Sequence, residues 1–274
     1  MQFLKATSDD GTHLRLARWG DGEKDVLIVH GLAEHAGRYE HVAAALVSAG
    51  WRVTLVELRG HGESEGKRGH CKYWHRYVED VQAAAAVVGR PFVLISHSMG
   101  GLVTFDALRE PLTPACLAIA ASNPFLGLTE PLPAWKDFAA RIATRIAPTL
   151  SIPTELDASH LSHDAEMVRE YEADPLVYGT VTARWGTEME KAQRRVMDDA
   201  PKGRLPLRIM IGTGDAICDP EAGRRLARDW GGEVDEVLYE GLYHELFNET
   251  ERQGIIQDMI TWLDAIWASQ GATA

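Results

Sequence analysis

Long apolar runs and cysteine are both scarce in this sequence. No stretch approaches the roughly 20 apolar residues that a membrane-spanning helix requires. The N-terminal segment MQFLKATSDDGTHLRLARWG also lacks the apolar core of a signal peptide. Three cysteines occur, Cys71, Cys116 and Cys218, and none of them forms a C-x-x-C pair. These absences argue against a disulfide framework and predict a cytoplasmic protein with reduced thiols.

Basic residues are also fewer than acidic residues. The 274 residues contain 28 Lys and Arg against 40 Asp and Glu, which gives a formal net charge of −12. A chain with this charge repels nucleic-acid phosphates, so we expect no nucleic-acid partner. It repels anionic lipid headgroups as well, so any contact with a membrane has to be local.

Motifs for dinucleotides, phosphates and metals are incomplete. Gly212-x-Gly214 lacks the third glycine of a dinucleotide fingerprint, and Gly66–Arg68 lacks the Ser or Thr that follows Lys in a phosphate loop. His160 and His163 have no acidic partners at metal-ligand spacing, so we interpret them as surface histidines. The sequence therefore predicts no cofactor and no metal.

Apolar strands alternate with helical segments in both halves of the chain. The predicted strands are Gln2–Ala6, Thr12–Trp19, Asp25–His30, Trp51–Leu58, Pro91–Ser96, Cys116–Ser122, Leu207–Asp215 and Val234–Gly241. The predicted helices are Arg38–Ala49, Tyr73–Val88, Met99–Arg109, Glu221–Trp230 and Glu251–Trp267. This alternation predicts an α/β fold with a mostly parallel sheet, helices on both faces and antiparallel strands at the N-terminal edge.

The alternation stops between Pro124 and Trp185. This segment is rich in proline, helix formers and short polar breaks, and it contains no convincing strand. We interpret residues 124–186 as a helical cap inserted at the carboxyl edge of the sheet. The α/β core would then consist of residues 1–123 and 187–274.

The residue types of an acyl-transfer site follow predicted strands. Ser98 follows the strand in PFVLISHSMGG and opens a helix, Asp215 ends LRIMIGTGD, and His244 follows VLYEGLYH. Parallel strands end at one edge of a sheet, so a nucleophile, an acid and a base can meet there. The N–H groups of Leu32, in the turn after the first buried strand, and of Met99 are the expected oxyanion donors.

Several neighbouring residues have more than one interpretation. Asp219 lies four residues beyond Asp215 and could replace it as the acid, but it precedes a proline and is better explained as a helix N-cap. Ser96 occupies a glycine position of G-x-S-x-G. We expect a working elbow, in which Gly100 relieves the contact with Ser96 and the Ser96 hydroxyl bonds a nearby carbonyl. Cys218 either faces the site or is a buried inert thiol.

Longer segments extend this pattern over nearly the whole chain. They are HGLAEHAGRY, ELRGHGESEG, SHSMGG, LSHDAEMVREYEADPL in the cap, and GTGDAICDPEAG with LYEGLYHELFNE near the C-terminus. With these segments the chain resembles the α/β-hydrolases of the monoacylglycerol lipase and lysophospholipase family. The resemblance implies that Ser98 is the nucleophile, His244 the base and Asp215 the acid, and that Leu32 and Met99 are the oxyanion donors.

The resemblance also implies residues that bind the substrate. In monoacylglycerol lipases, a Glu and an Arg that match Glu34 and Arg38 help to form the polar pocket for glycerol. The glycerol-specific members also carry a His where this sequence has Phe247, which implies a weaker preference for glycerol esters here. A surface ion pair is the other interpretation of Glu34 and Arg38.

A helical stripe of apolar residues lies in the predicted cap, with spacings of three and four. Its members are Trp135, Phe138, Ile142, Ile146 and Leu150. The flanking charged residues are Lys136, Arg141, Arg145 and one acid, Asp137. In the lipases that the chain resembles, the cap covers an acyl tunnel and can rest on a membrane, so Trp135, Phe138 and Ile142 are the expected acyl-binding residues. Peripheral membrane contact and packing as ordinary core both stay open for the stripe.

These features predict a serine carboxylic-ester hydrolase that forms an acyl-enzyme on a single-chain lipid ester, a monoacylglycerol or a lysophospholipid. A general carboxylesterase or thioesterase for smaller soluble esters would share the same chemistry. A peptidase would need a cap carboxylate to bind the substrate amine, for which Glu155, Asp157 and Glu166 are available. A non-catalytic, hydrolase-derived binding protein is the alternative outside the enzymes, and the complete set of Ser, Asp and His argues against it.

Overall fold

An eight-stranded sheet forms the centre of the computed structural model, which describes residues 1–130, 135 and 142–271. The described strands, with β7 and β8 in the cap, are β1 (Gln2–Thr7), β2 (His13–Trp19), β3 (Lys24–Val29), β4 (Trp51–Val56), β5 (Phe92–His97), β6 (Cys116–Ser122), β7 (Ser151–Pro153), β8 (Thr180–Thr182), β9 (Leu207–Gly212) and β10 (Val234–Tyr239). The spatial order in the main sheet is β1-β2-β4-β3-β5-β6-β9-β10. The pairs β1–β2 and β2–β4 are antiparallel, and the remaining pairs of this sheet are parallel. The predicted sheet is confirmed.

Helices cover both faces of the sheet. The longer described helices are α1 (Glu40–Ser48), α2 (His75–Val88), α3 (Met99–Ala107), α4 (Ala165–Ala173), α5 (Ala183–Asp199), α6 (Pro220–Asp229) and α7 (Arg252–Gly271). Tyr77 of α2 and Leu102 of α3 belong to one buried apolar cluster, while Leu46 of α1 and Met259 of α7 belong to a second. Among the described helices, none combines the length and apolar character needed to cross a bilayer.

The parallel strands are apolar along their length because both faces are covered. Every residue of β5 is buried, and β3 is buried from its second residue onward. With the faces closed, the carboxyl ends of β3, β5, β6 and β9 provide the edge at which polar side chains can meet.

The cap contains a small second sheet that was not expected. β7 and β8 pair antiparallel, with Ile152 opposite Val181. The prediction of a cap without strands is wrong here, because strands of three residues with little buried surface leave no apolar alternation to recognise. Helix α4 follows Asp164, whose side chain accepts hydrogen bonds from the first N–H groups of the helix.

Helix α5 joins the cap to the core. Trp185, Met189, Ala192 and Val196 recur at intervals of four, three and four residues, and they pack into the apolar cluster that contains α3. The helix runs without a break through residues 186 and 187, where the sequence placed the end of the cap. The division into core and cap at this point stays a prediction.

Candidate active site

Ser98 lies on a sharp turn between β5 and α3. Its backbone has φ 51° and ψ −120°, a positive-φ conformation that non-glycine residues rarely adopt. Such a conformation costs on the order of 1–3 kcal/mol. Neighbouring contacts hold it, since Ser98 N donates to Ser122 O at 3.1 Å and Phe125 N donates to Ser98 O at 2.9 Å. The turn leaves Ser98 at the carboxyl end of β5.

Glycines after the turn let α3 approach its neighbours closely. A β-carbon on Gly100 would collide with the carbonyl oxygens of Val29 and His30. A β-carbon on Gly101 would lie 2.6 Å from Cβ of Pro124. The start of α3 therefore packs directly against the end of β3.

One part of the predicted account of Ser96 is wrong, namely the hydrogen bond of its hydroxyl. The atoms nearest to a β-carbon on Gly100 belong to the carbonyl groups of Val29 and His30, so the closest approach that requires glycine there is between α3 and β3. The Ser96 hydroxyl is buried and has no hydrogen-bond partner in the described part of the chain, where a bond to a carbonyl was expected. The strained conformation of Ser98 nevertheless forms with Ser96 in the glycine position.

His244 and Asp215 form a buried hydrogen-bonded pair. Nδ1 of His244 lies 2.7 Å from Oδ2 of Asp215. The other carboxylate oxygen, Oδ1, accepts bonds from the N–H groups of Ile217 and Cys218 at 2.8 and 2.9 Å. These bonds fix the carboxylate, and they leave Nε2 of His244 on the side of the ring away from Asp215. Asp219, the alternative acid, caps α6 as predicted.

Asp215 controls the charge of His244. Burial alone would lower the pKa of His244, but the Asp215 carboxylate, with a smaller contribution from Cys218, outweighs burial and raises that pKa well above the ordinary histidine value. The ring of His97 lies 4.7 Å away, and burial lowers the pKa of His97 to about 4. Of these two adjacent imidazoles, His244 is therefore the one suited to take up a proton near neutral pH.

The thiol of Cys218 faces the candidate site. Its Sγ lies 3.9 Å from Oγ of Ser98, whereas no hydrogen bond joins Ser98 to His244 in the described residues. Hydrogen bonds between catalytic side chains are often long or absent until substrate binds, so the arrangement is compatible with a base next to a nucleophile. Burial raises the pKa of the Cys218 thiol, which keeps the thiol uncharged.

Asp215, Cys218 and His244 also form a group of potential metal ligands. Their ligand atoms lie within 4.8 Å of one another. A metal ion between them would compete with the 2.7 Å hydrogen bond that already links Asp215 to His244. The pair is therefore better matched to proton transfer than to metal binding.

The turn after β3 lies against Ser98. A β-carbon on Gly31 would be 3.2 Å from Cβ of Ser98, and Gly31 N donates to Oε2 of Glu34 at 2.6 Å. The N–H of Leu32 makes no hydrogen bond within the described ranges. Met99 is the first residue of α3, so its N–H has no partner inside the helix. Both N–H groups are thus available for an oxyanion.

Glu34 and Arg38 belong to a buried ionic network. Arg38 Nη2 donates to Oε2 of Glu245 at 2.6 Å, and Arg38 Nε lies 3.6 Å from Oε1 of Glu34. The Tyr39 hydroxyl donates to Glu34 at 2.7 Å. The ion pair exists, but it is buried, so the surface interpretation is wrong. Phe247 is also buried, and it lines a small cavity with these residues.

Sequence reasoning passed over Asn123. Its Nδ2 donates to the carbonyl oxygens of Tyr243 and His244 at 3.1 and 2.7 Å, and its Oδ1 accepts from Gly212 N at 2.8 Å. Asn123 therefore ties the ends of β6 and β9 to the loop that carries His244. Its position directly after a buried strand, at the same sheet edge as Ser98, is the signal that could have identified it.

The apolar stripe of the cap is exposed where the structure describes it. The exposed fractions are 69% for Trp135, 42% for Ile142, 78% for Ile146 and 52% for Leu150. For these residues the interpretation as ordinary core is wrong. Phe138, with Lys136, Asp137 and Arg141, lies outside the described residues.

Known proteins are similar to this chain in sequence and in fold. A family model described as serine aminopeptidase, S33, matches residues 21–251. A monoacylglycerol lipase of Mycolicibacterium smegmatis is 35% identical over 87% of this chain and 87% of its own length. The chain belongs to the monoacylglycerol lipase family of α/β-hydrolases. A phospholipase of Bacillus subtilis is 29% identical over 85% of this chain and 92% of its own.

A solved relative of this α/β-hydrolase has the same fold. The crystal structure of a Paleococcus ferrophilus monoacylglycerol lipase matches with a TM-score of 0.85 and 28% identity, over 97% of this chain and 100% of the other. The predictions of the family, the α/β-hydrolase fold and a serine ester hydrolase are confirmed.

The cap carboxylates considered for a substrate amine lie at the protein surface. Glu155, Asp157 and Glu166 are all exposed. Asp157 accepts a hydrogen bond from Ser159 N as the cap of a short helical turn. These three residues therefore offer a substrate amine solvent-exposed carboxylates, not a buried ion-pair partner.

Proposed function

We propose that this α/β-hydrolase cleaves carboxylic esters of single-chain lipids, monoacylglycerols or lysophospholipids, through an acyl-enzyme on Ser98. The observation that carries the proposal is the 2.7 Å bond between His244 and Asp215, at the sheet edge where Ser98 occupies a strained turn. The names of the relatives, monoacylglycerol lipase and phospholipase, support a lipid substrate.

The proposed reaction has two halves. Nε2 of His244 takes the Ser98 proton as Oγ attacks the ester carbonyl, and the N–H groups of Leu32 and Met99 bind the oxyanion. His244 then gives the proton to the departing alcohol, which leaves an acyl group on Ser98. Water, deprotonated by His244, attacks this acyl group; the bond to Ser98 Oγ breaks, the fatty acid leaves, and His244 returns the proton to Ser98. Asp215 holds the His244 tautomer and stabilises the imidazolium without itself becoming protonated.

Two groups of residues are proposed to bind the substrate. For the acyl chain we propose Trp135, Phe138 and Ile142. For the head group we propose Glu34, Arg38 and Phe247. Arg38 already contacts two carboxylates, so a glycerol hydroxyl has to share groups that have protein partners. Phe247 offers no hydrogen bond, which supports tolerance of different head groups.

Hydrolysis of p-nitrophenyl esters of graded acyl length tests the proposed substrate class. We expect kcat/KM to rise on the order of a thousandfold from acetate to octanoate, because each of the six added methylenes contributes about 0.8 kcal/mol when it is buried. A monoacylglycerol and a lysophospholipid of equal chain length test the head group, and an amino-acid p-nitroanilide tests peptidase activity. A maximum at acetate, or faster cleavage of the anilide, would contradict a lipid ester hydrolase.

We also propose that the exposed cap residues touch the lipid surface from which the substrate comes. Ile146 and Leu150 present apolar side chains, and Arg145 beside them is exposed and can approach anionic headgroups. The contact is confined to this patch because the chain as a whole carries a net charge of −12.

Vesicle co-sedimentation measures this contact. Ile146→Asn should weaken binding to phosphatidylglycerol-containing vesicles by about 1.5 kcal/mol, roughly tenfold, because the side chain no longer inserts. Leu238→Asn is the matched control, since Leu238 is 43% exposed on the edge strand β10. If the two variants and the wild type bind the vesicles equally, the proposed contact between the cap and the membrane is contradicted.

A further inference from the structure

Glu249 is a fully buried carboxylate outside the proposed reaction. Its Oε1 accepts a hydrogen bond from Tyr243 N at 2.8 Å and lies 2.9 Å from Nδ1 of His163. Its Oε2 accepts from His163 N at 2.9 Å and lies 3.2 Å from Oγ of Ser162. The residue itself has 0% exposure. One side chain thus joins two parts of the chain, the cap segment 160–164 and the histidine loop 243–249.

Main-chain hydrogen bonds join the same two segments next to His244. His244 N donates to His160 O at 3.4 Å, and Glu245 N donates to Leu161 O at 2.8 Å. The cap segment therefore contacts the backbone of the proposed base itself. Movement of this segment would change the position of the imidazole.

Further contacts keep the cap segment in place. The His163 ring stacks on Tyr243, with ring centres 3.7 Å apart and an angle of 26° between the planes. Ser162 Oγ lies 2.9 Å from Asn248 O, and Asp164 accepts from Arg252 at the start of α7 at 2.8 Å. These contacts surround Glu249, whose two carboxylate oxygens contact both segments.

We propose that Glu249 is a positioning residue, which fixes cap segment 160–164 against the histidine loop and thereby sets the position of His244. This inference rests on the proposed function, in which His244 is the base. In this proposal, cap segment 160–164 does not move relative to the histidine loop during the reaction. Asn123 holds the carbonyl of His244 from the core side, so the loop is fixed between the cap and the sheet.

The donors around Glu249 require a carboxylate. Glutamine at this position has the same shape, but one of its two acceptor oxygens becomes an NH₂ donor. In either orientation the NH₂ would face an N–H donor, from Tyr243 or from His163, and leave it unsatisfied in a buried position. Aspartate keeps both acceptors and the charge but is one methylene shorter.

Kinetics of Glu249→Gln on a short p-nitrophenyl ester test the proposal. We expect kcat to fall on the order of a hundredfold, the loss expected from a misplacement of about 1 Å. KM should stay within about threefold, since the acyl-binding surface is unchanged, and Glu249→Asp should restore part of kcat. Glu251→Gln is the matched control, because Glu251 is exposed and its carboxylate accepts a hydrogen bond from the neighbouring Thr250.

A readout that does not need catalysis separates this proposal from the proposed function. Amide hydrogen exchange of the segment 243–249 should accelerate in Glu249→Gln and not in Glu251→Gln. If Glu249→Gln does not fold, His163→Ala takes its place, with an expected fall in kcat on the order of tenfold at unchanged KM. Unchanged kcat in the folded variant, or a change in KM alone, overturns the positioning role. Absence of any esterase activity in the wild type overturns the proposed function instead.

Discussion

Ser98→Ala is expected to lower kcat for ester hydrolysis on the order of 10⁴-fold or more, because no acyl-enzyme can form without the hydroxyl. The turn at Ser98 is built from main-chain contacts with Ser122 and Phe125, and alanine preserves them. Alanine adopts positive φ no more easily than serine, so the strain is unchanged. The variant should therefore fold like the wild type, and the loss should fall on kcat.

Ser96→Ala is the matched control for Ser98→Ala. Ser96 is buried two residues earlier, and its hydroxyl has no hydrogen-bond partner among the described residues. Removal of an unpartnered buried hydroxyl is close to neutral or slightly stabilising. We expect Ser96→Ala to keep nearly full activity. A comparable loss in both variants would point to damage of the turn and would count against Ser98 as the nucleophile.

Asp215→Asn is expected to have the second largest effect. The amide has nearly the shape of the carboxylate, but it cannot hold His244 in the tautomer that leaves Nε2 free to accept a proton. The corresponding loss in a serine triad is about 10⁴-fold in kcat. Asp219→Asn serves as the control, since Asp219 caps α6 and should change activity little.

The pH dependence gives a second readout of Asp215. The neutral form of His244 is the base, and Asp215 raises the pKa of His244, so wild-type kcat/KM should rise with pH through a limb above the ordinary histidine value. Without the negative charge the pKa of His244 falls, so the residual activity of Asp215→Asn should reach its plateau at lower pH. If kcat/KM rises over the same pH range in both proteins, Asp215 does not raise the pKa of His244.

Much of the fold was predictable because its signals are local. The strand Cys116–Ser122 has the predicted bounds, and each buried parallel strand is a largely apolar run that is followed directly by a polar residue. The candidate nucleophile and acid follow such strands, and the base follows the partly exposed parallel strand β10, so their meeting at one sheet edge follows from strand direction. The strands of the cap sheet, with three residues each, carry no comparable signal.

The rest of the candidate site depends on pairs that are distant in sequence. Glu249 meets His163 across 86 positions, and Asn123 meets His244 across 121. The sequence around a single acidic or amide residue in a loop does not indicate which distant residue it will contact. The closest approach at Gly100 likewise involves a separate strand, β3, which the local motif around Ser98 does not reveal.

The most direct test of a Ser98 nucleophile is the reaction of the wild-type protein with a fluorophosphonate. The serine oxygen displaces fluoride and keeps the phosphonyl group, so mass spectrometry of the proteolysed protein locates the adduct. We predict one adduct per chain, on the peptide that contains Ser98, with no adduct in Ser98→Ala. Absence of labelling in the folded wild type, or an adduct on another residue, would contradict the proposed mechanism.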